Sequence, residues 1–375
     1  MLPKMRVATG LSANLVAFCL GMLAISQPVQ AAAAPPVVVD SATMGWFHTF
    51  AQFASAAYCS KMGDGQASTS LCGSGACSAR DDRPACRDLL DATTVFEFDE
   101  NRSITGNIAV SKRRKLIVLS FRGTVTTSLR DLMSDVKFCY REPRLIGAVI
   151  GLVCSWLPST AADYDDPVLP LCEDCYVHKG FWTAFAGIKH DMARVIGEQR
   201  KANPGYSVVA TGHSLGAAVA TIAGAYLRKS GINTDIYTYG SPRVGDAAFA
   251  SFVSNQRGGK TYRITNKADP VTLIPTTYGG YAHTEPEYWF PDGLENSRSV
   301  KRCPGVLPLP EFLCTAQFWF NPNKLPDHDR LGYTRQIKAC PTDQGRGDPG
   351  VITMADIELW GLLNNGTEPM EEEKF

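Results

Sequence analysis

One serine in this 375-residue chain stands between two glycines at a spacing that suits covalent catalysis: Ser214, in Gly212-His213-Ser214-Leu215-Gly216. The apolar run Val208-Val209-Ala210 precedes this turn and the small-residue run Ala217-Ala218-Val219-Ala220 follows it. A Gly-x-Ser-x-Gly turn between a strand and a helix presents the serine hydroxyl on a sharp, strained bend. Side chains two positions before and after the serine would collide with the neighbouring strand and helix, so Gly212 and Gly216 stand where only hydrogen fits. The helix is expected to begin at the serine, which leaves its first N–H groups without intrahelical acceptors. The amide of Leu215 is then placed to bind a developing oxyanion.

A serine hydroxyl needs a base to take its proton, and the base needs a carboxylate to orient it. Behind this kind of turn the chain order is serine, acid, histidine. Only His283 and His328 follow Ser214; His48, His178, His190 and His213 precede it. For the acid, Asp269 follows Tyr262-Arg263-Ile264-Thr265, which reads as a strand, and catalytic groups in open α/β sheets gather at the carboxyl ends of strands. Pro270 restricts Asp269 to extended backbone. The rival Asp246 reads as the N-cap of a helix over 247–253. From the residues alone both histidines remain candidates.

The elements that must hold these groups follow from periodicity. Residues 44–58 read as an amphipathic helix, with Phe47, Phe50, Ala51, Ala54 and Ala57 on one face. Residues 95–98, 104–110 and 115–121 read as strands, the last so continuously apolar that both its faces should be covered. A long helix is expected over 180–201, the strand before the serine over 208–210, a helix over 215–229, and strands over 236–239 and 260–265. This alternation implies one α/β domain around a mixed sheet.

Equal numbers of basic and acidic residues, 37 of each, argue against a nucleic-acid partner. Residues 1–31 read as a signal segment: Lys4 and Arg6, an apolar run over 11–25, then Val29-Gln30-Ala31 as a cleavage site. The run is short for a membrane span, so secretion without a stable membrane anchor is expected. Of 12 cysteines, Cys19 falls in that segment; the other 11 should form disulfides in an exported chain, with one left over. Asn101 and Asn365 head glycosylation sequons. Residues 346–375, with Glu371-Glu372-Glu373, read as a solvated tail.

Taken together, these stretches resemble the fungal secreted class 3 lipases, the triacylglycerol lipases of filamentous fungi. The resemblance runs from about Phe53 to Cys340. It includes Ala57-Tyr58-Cys59, residues 116–124, Val177-His178-Lys179-Gly180-Phe181, the serine turn, Tyr239-Gly240-Ser241-Pro242-Arg243-Val244-Gly245, and residues 262–275 and 281–289. It implies an α/β-hydrolase-type domain over 32–345, with a central mixed, mostly parallel sheet flanked by helices and a helical lid.

The resemblance also implies roles. His328, in Pro326-Asp327-His328-Asp329 ahead of Cys340, takes the base's place, and His283 becomes a structural histidine beside an aromatic cluster. The family usually follows this histidine with aromatic residues; here come Asp329, Arg330, Leu331, Gly332 and Tyr333. Thr124, after Phe121-Arg122-Gly123, becomes the second oxyanion donor beside Leu215. The lid falls at about 126–135, where Leu129, Leu132 and Met133 share a helical face. The family's bridges correspond to Cys59–Cys340, Cys72–Cys77 and Cys172–Cys175. Cys172-x-x-Cys175 also has redox or zinc spacing, but with no second pair at zinc spacing a structural bridge is the better reading. Of the remaining cysteines, Cys139 with Cys154 would staple an insert at 141–171, and Cys303 with Cys314 would close a local loop. Cys86 is then the odd thiol. The insert's apolar residues 145–157 suit either a buried helix or a flap near the site mouth.

The implied protein is a secreted triacylglycerol lipase acting at an oil–water interface without metal or organic cofactor, its oligomeric state open and a monomer the simplest. A feruloyl esterase or phospholipase A1 on the same fold is the alternative, and an inactive lipid- or cell-wall-binding relative a remoter one.

Overall fold

A computed structural model describes residues 39–58, 69–70, 91–98, 104–123, 157–158, 171–172, 175–275, 277, 280–294, 299–303, 314–318, 321–328 and 333. Outside the described residues lie the signal segment, Thr124, the lid at 126–135, nearly all of the insert at 141–171 and the tail at 346–375. So do Asn101, Asn365, Cys59, Cys72, Cys77, Cys86, Cys139, Cys154 and Cys340.

Among the described residues, nine strands form one sheet whose spatial order follows the chain. They are β1 (Thr69–Ser70), β2 (Ala92–Phe98), β3 (Gly106–Ser111), β4 (Leu116–Phe121), β5 (Ser207–His213), β6 (Thr234–Tyr239), β7 (Thr261–Asn266), β8 (Glu287–Phe290) and β9 (Lys301–Cys303). Strands β1 to β4 are antiparallel, β4 to β8 run parallel, and β9 returns antiparallel. A parallel pair needs a long crossover. The helices supply part of it: α2 (Lys179–Ala186) and α3 (Lys189–Ala202) lie between β4 and β5, α4 (Leu215–Lys229) between β5 and β6, and α5 (Ala247–Asn255) between β6 and β7. A smaller sheet joins Leu157–Pro158, Tyr176–Val177, Gly245–Asp246 and Tyr281–Ala282.

Both faces of the sheet are covered, as the apolar run of β4 requires. Ile117, Leu119 and Phe121 enter the core shared with α2 to α5, while Leu116 and Val118 enter the core under α1 (Ser41–Ala56). The period of two along a strand makes one segment serve two cores. On the α1 side Phe47 sets its ring edge-on to Tyr237, Tyr262, Tyr288 and Phe290. Helix α1 starts three residues earlier than the sequence pattern predicts, because Asp40 caps it and accepts the Thr43 N–H at 2.8 Å.

The single helix expected over 180–201 is two helices. Gly187 closes α2, its N–H reaching the Thr183 carbonyl at 3.2 Å, and Ile188 turns its side chain into the core at 1% exposure before α3 begins. Burial of Ile188 overrides the continuous helical pattern. No helix among the described residues is long and apolar enough to cross a membrane. Cys172–Cys175 and Cys303–Cys314 are both disulfide-bonded.

Candidate active site

Strand β5 ends at His213 and α4 begins at Leu215, so Ser214 alone makes the turn. Its backbone sits at φ 58°, ψ −129°, a region that costs a non-glycine residue about 1–3 kcal/mol. The surroundings over-determine it. The Ser214 N–H donates to the Tyr239 carbonyl at 3.0 Å, and its own carbonyl accepts the Ala217 N–H at 3.0 Å. A Cβ on Gly216 would run into the Phe121 carbonyl of β4, and one on Gly212 into the Gly216 carbonyl. Both glycines therefore do what their spacing predicts, the first against the helix and the second against the neighbouring strand. Leu215 opens α4, where helix N–H groups lack intrahelical acceptors.

Asp269 lies three residues past the end of β7 and is fully buried. Its backbone is extended, at φ −50° and ψ 110°, as the following proline requires, and it caps a 3₁₀ turn over Pro270–Leu273. Oδ1 accepts the Val271 N–H at 2.9 Å, and the main-chain carbonyl accepts the Thr272 hydroxyl at 2.7 Å. With Oδ1 fixed, Oδ2 faces His328.

His328 follows the 3₁₀ segment Pro322–Asp327. Two bonds join this segment to the Asp269 loop: the Asn266 side-chain amide donates to the Asp327 carbonyl at 2.9 Å, and the Ala268 N–H to Asp327 Oδ2 at 3.3 Å. His328 Nδ1 then stands 2.9 Å from Asp269 Oδ2, and Nε2 stands 2.9 Å from Ser214 Oγ. An ionised carboxylate only accepts, so Nδ1 carries the hydrogen and Nε2 is free to take the serine's. Ser214, Asp269 and His328 are 2%, 0% and 4% exposed, an environment that strengthens each of these bonds.

The other histidine after Ser214 points elsewhere. His283 Nε2 donates to the Thr272 carbonyl at 2.6 Å, which braces the turn behind Asp269. Burial, with Arg263 and Arg243 nearby, holds its ionisation well below the ordinary histidine range. Asp246 is a helix cap, accepting the Phe249 N–H at 2.8 Å. For the oxyanion loop, Gly123, the residue before Thr124, is described: a Cβ there would lie 2.9 Å from Ser214 Cβ. No cluster of His, Cys, Asp or Glu among the described residues has the geometry of a metal site.

Four residues join this centre that periodicity and motif spacing did not single out. Tyr333 donates to Asp269 Oδ2 at 2.6 Å. Gly240, at φ 57°, passes so close that a Cβ would lie 2.8 Å from Asp269 Oδ2 and 3.0 Å from His328 Nδ1. His213 stacks on the His328 ring, and Tyr58 bonds His213. Tyr333 stands in the sequence as a departure from the family's pattern after the histidine, and His213 is discounted by chain order. A buried aromatic five residues past the base, and a polar ring beside the serine, are the signals that would have found them.

The chain has relatives among known proteins. The family model described as lipase (class 3) matches residues 118–279. The chain is 33% identical over 276 residues to secreted mono- and diacylglycerol lipase 1 of Fusarium solani, covering 72% of each. It is 32% identical over 212 residues to a lipase of Rhizopus oryzae, covering 55% of this chain and 47% of that protein. The crystal structure of a mutant MDLA from Penicillium cyclopium superposes with a TM-score of 0.60 at 26% identity, covering 77% of this chain and 96% of that one. With its α/β sheet, its serine turn and a relative matched over most of its length, the chain belongs to the class 3 lipase family of carboxylic ester hydrolases.

Proposed function

We propose that this chain is a secreted serine hydrolase of acylglycerols, with Ser214 as nucleophile, His328 as base and Asp269 as the group that orients and supports it. The observation that carries the reading is the unbroken line from Asp269 Oδ2 through His328 to Ser214 Oγ, two bonds of 2.9 Å.

The chemistry follows from that line. His328 Nε2 takes the hydroxyl proton as Ser214 Oγ attacks the ester carbonyl, and Asp269 stabilises the imidazolium. The oxyanion is received by the Leu215 N–H and by Thr124. The imidazolium returns its proton to the leaving alcohol as the ester bond breaks, leaving an acyl-serine. Water, deprotonated by His328, then attacks the acyl carbonyl and releases the fatty acid while Ser214 recovers its proton.

Two substrate readings remain. The apolar positions Leu129, Leu132 and Met133 favour a lid that opens at oil and admits triacylglycerol. The relatives named mono- and diacylglycerol lipases, from Fusarium solani and Penicillium cyclopium, favour partial glycerides. Secretion is supported by the signal-like residues 1–31 and by these secreted relatives.

The deciding experiment compares emulsified mono-, di- and triolein with a soluble short-chain ester, for wild type and Ser214→Ala. Wild-type hydrolysis of the glycerides, lost in Ser214→Ala, is expected. Preference for mono- and diolein would assign partial glycerides; equal or faster triolein hydrolysis would assign the triacylglycerol reading. Cleavage of the soluble ester alone would remove the lipase assignment, and no cleavage at all would bring forward a binding protein.

A further inference from the structure

The residue before the nucleophile has no part in the proton transfer, yet it is tied to the base both by a hydrogen bond and by ring stacking. His213 Nε2 lies 2.8 Å from the main-chain carbonyl of His328. Its ring stacks on the His328 ring with centroids 4.6 Å apart and planes at 29°. Its other nitrogen, Nδ1, lies 2.8 Å from the phenol oxygen of Tyr58, which follows the end of α1. His213 is 5% exposed.

The hydrogens can be assigned from these partners. A carbonyl only accepts, so His213 Nε2 carries a hydrogen and donates it to His328. In a neutral ring Nδ1 then holds a lone pair, and the Tyr58 hydroxyl satisfies it by donating. A charged His213 would put a hydrogen on Nδ1 and make the Tyr58 hydroxyl turn round to accept it, giving up its own donation. It would also set a cation against the face of His328, which must itself become a cation when Ser214 attacks. At that separation two like charges in a buried site oppose each other strongly.

We infer that Tyr58 and His213 are positioning residues for the base: they hold an uncharged imidazole that anchors the His328 main chain and leaves room for the His328 charge. This rests on the triad reading above. The anchoring is long-range. Tyr58 lies just past the N-terminal helix, His213 at the end of the central strand, and His328 in a segment near the C-terminus, 155 and 115 residues apart along the chain. One ring thereby fixes a C-terminal segment to the nucleophile's own strand. Gly123 completes the packing, since a Cβ there would collide with the Tyr58 hydroxyl. Among the described residues, the titratable groups shown against His213 include Tyr58, just past the end of α1, and His328 and Tyr333 from the C-terminal segment, with Asp269, one step away, bonded to the last two. Asp269 supports the charge on His328, and Tyr333 stays a neutral phenol because burial and that carboxylate oppose its ionisation.

The test uses His213→Ala, His213→Gln and Tyr58→Phe, with the rate of Ser214 phosphonylation, kcat and KM on a soluble ester, and the pH profile of kcat/KM. His213→Ala is expected to slow both phosphonylation and kcat by about 10- to 100-fold with KM within about twofold, because the base is misplaced while substrate binding is not. Glutamine keeps an amide donor toward the His328 carbonyl and cannot be charged, so His213→Gln should recover most of the rate. Tyr58→Phe removes the hydrogen that stabilises the neutral ring, so the acidic limb of kcat/KM should move to higher pH.

A purely structural role would lower the melting temperature and leave kcat and the limb of the folded fraction unchanged, which overturns the inference. So would a glutamine variant no better than alanine. If His213→Ala does not fold, the glutamine and phenylalanine variants decide the matter by the same readouts. A wild-type chain that takes no phosphonate label overturns the triad reading and this inference with it; a labelled wild type with unaffected variants overturns the inference alone.

Discussion

Tyr333 donates its phenol hydrogen to Asp269 Oδ2 across 2.6 Å and accepts the Asn266 N–H at 3.0 Å. One phenol therefore spans the last residue of β7 and the acid that follows it. Together with His328 Nδ1–H and the Val271 N–H, it brings three donors to one carboxylate. Burial, and then the adjacent carboxylate, push its ionisation well above the ordinary phenol range, so it remains a donor at any working pH.

Tyr333→Phe removes one charge-assisted bond from Asp269 without opening a cavity. Such a bond contributes about 1.5–3 kcal/mol, of which a part reaches the transition state, so kcat on a soluble ester should fall about tenfold with KM little changed. Steady-state kinetics check this; an unchanged kcat in a folded variant would confine the phenol to supporting the loop.

Gly240→Ala should disable the site while leaving the sheet formed. The added methyl would lie 2.8 Å from Asp269 Oδ2 and 3.0 Å from His328 Nδ1, at a backbone φ of 57° that costs alanine about 1–2 kcal/mol more. Displacing the pair should lower kcat by about 100-fold or more. Far-UV circular dichroism beside the assay separates this from misfolding.

Glu287 and Arg263 form a buried ion pair at 3.0 Å, each side chain 6% exposed. Glu287 Oε1 also accepts the Thr265 hydroxyl at 2.6 Å and the Thr315 hydroxyl at 2.5 Å. Glu287→Gln leaves the guanidinium buried without a counter-charge and should cost about 3–5 kcal/mol. The double variant Arg263→Met, Glu287→Met should cost markedly less. Urea titrations of both would show it; a harmless single variant would mean that water reaches Arg263.

Acid should weaken the fold through two histidines, the buried His178 and the half-buried His283. Burial lowers the ionisation of His178 to about 4 from its ordinary 6.5, so between those values the unfolded chain binds a proton that the folded chain refuses. The associated stability is complete above pH 6.5, declines as pH falls toward 4, and amounts to about 3 kcal/mol. His283 adds in the same direction from 6.5 downward. His178→Asn keeps a side-chain acceptor for the Gly180 N–H and removes the titration, so its unfolding free energy should fall less between pH 7 and 4.5. An equal fall in both proteins would assign the effect elsewhere.

The parts of this site written in neighbouring residues were legible from the chain alone. Gly212 and Gly216 around Ser214, Pro270 after Asp269, Asp246 ahead of its helix and the short Cys172–Cys175 loop all obey rules that act over a few residues: steric exclusion, a fixed φ, a cap, a short closure. The strand, turn and helix around Ser214 form where the hydrophobic pattern says. The choice of His328 over His283 needed the family resemblance, because both satisfy the chain order.

Tertiary structure decided everything that depends on which distant segments meet. It set His328 against Ser214 across 114 residues and turned His283 to the Thr272 carbonyl. It put Tyr333 on Asp269, stacked His213 on His328, passed Gly240 beneath both, and broke the expected long helix at Ile188 to bury one side chain. None of these has a local signature, because each results from packing one sheet between two layers of helix, and the energy that selects such contacts is shared among residues far apart in the chain.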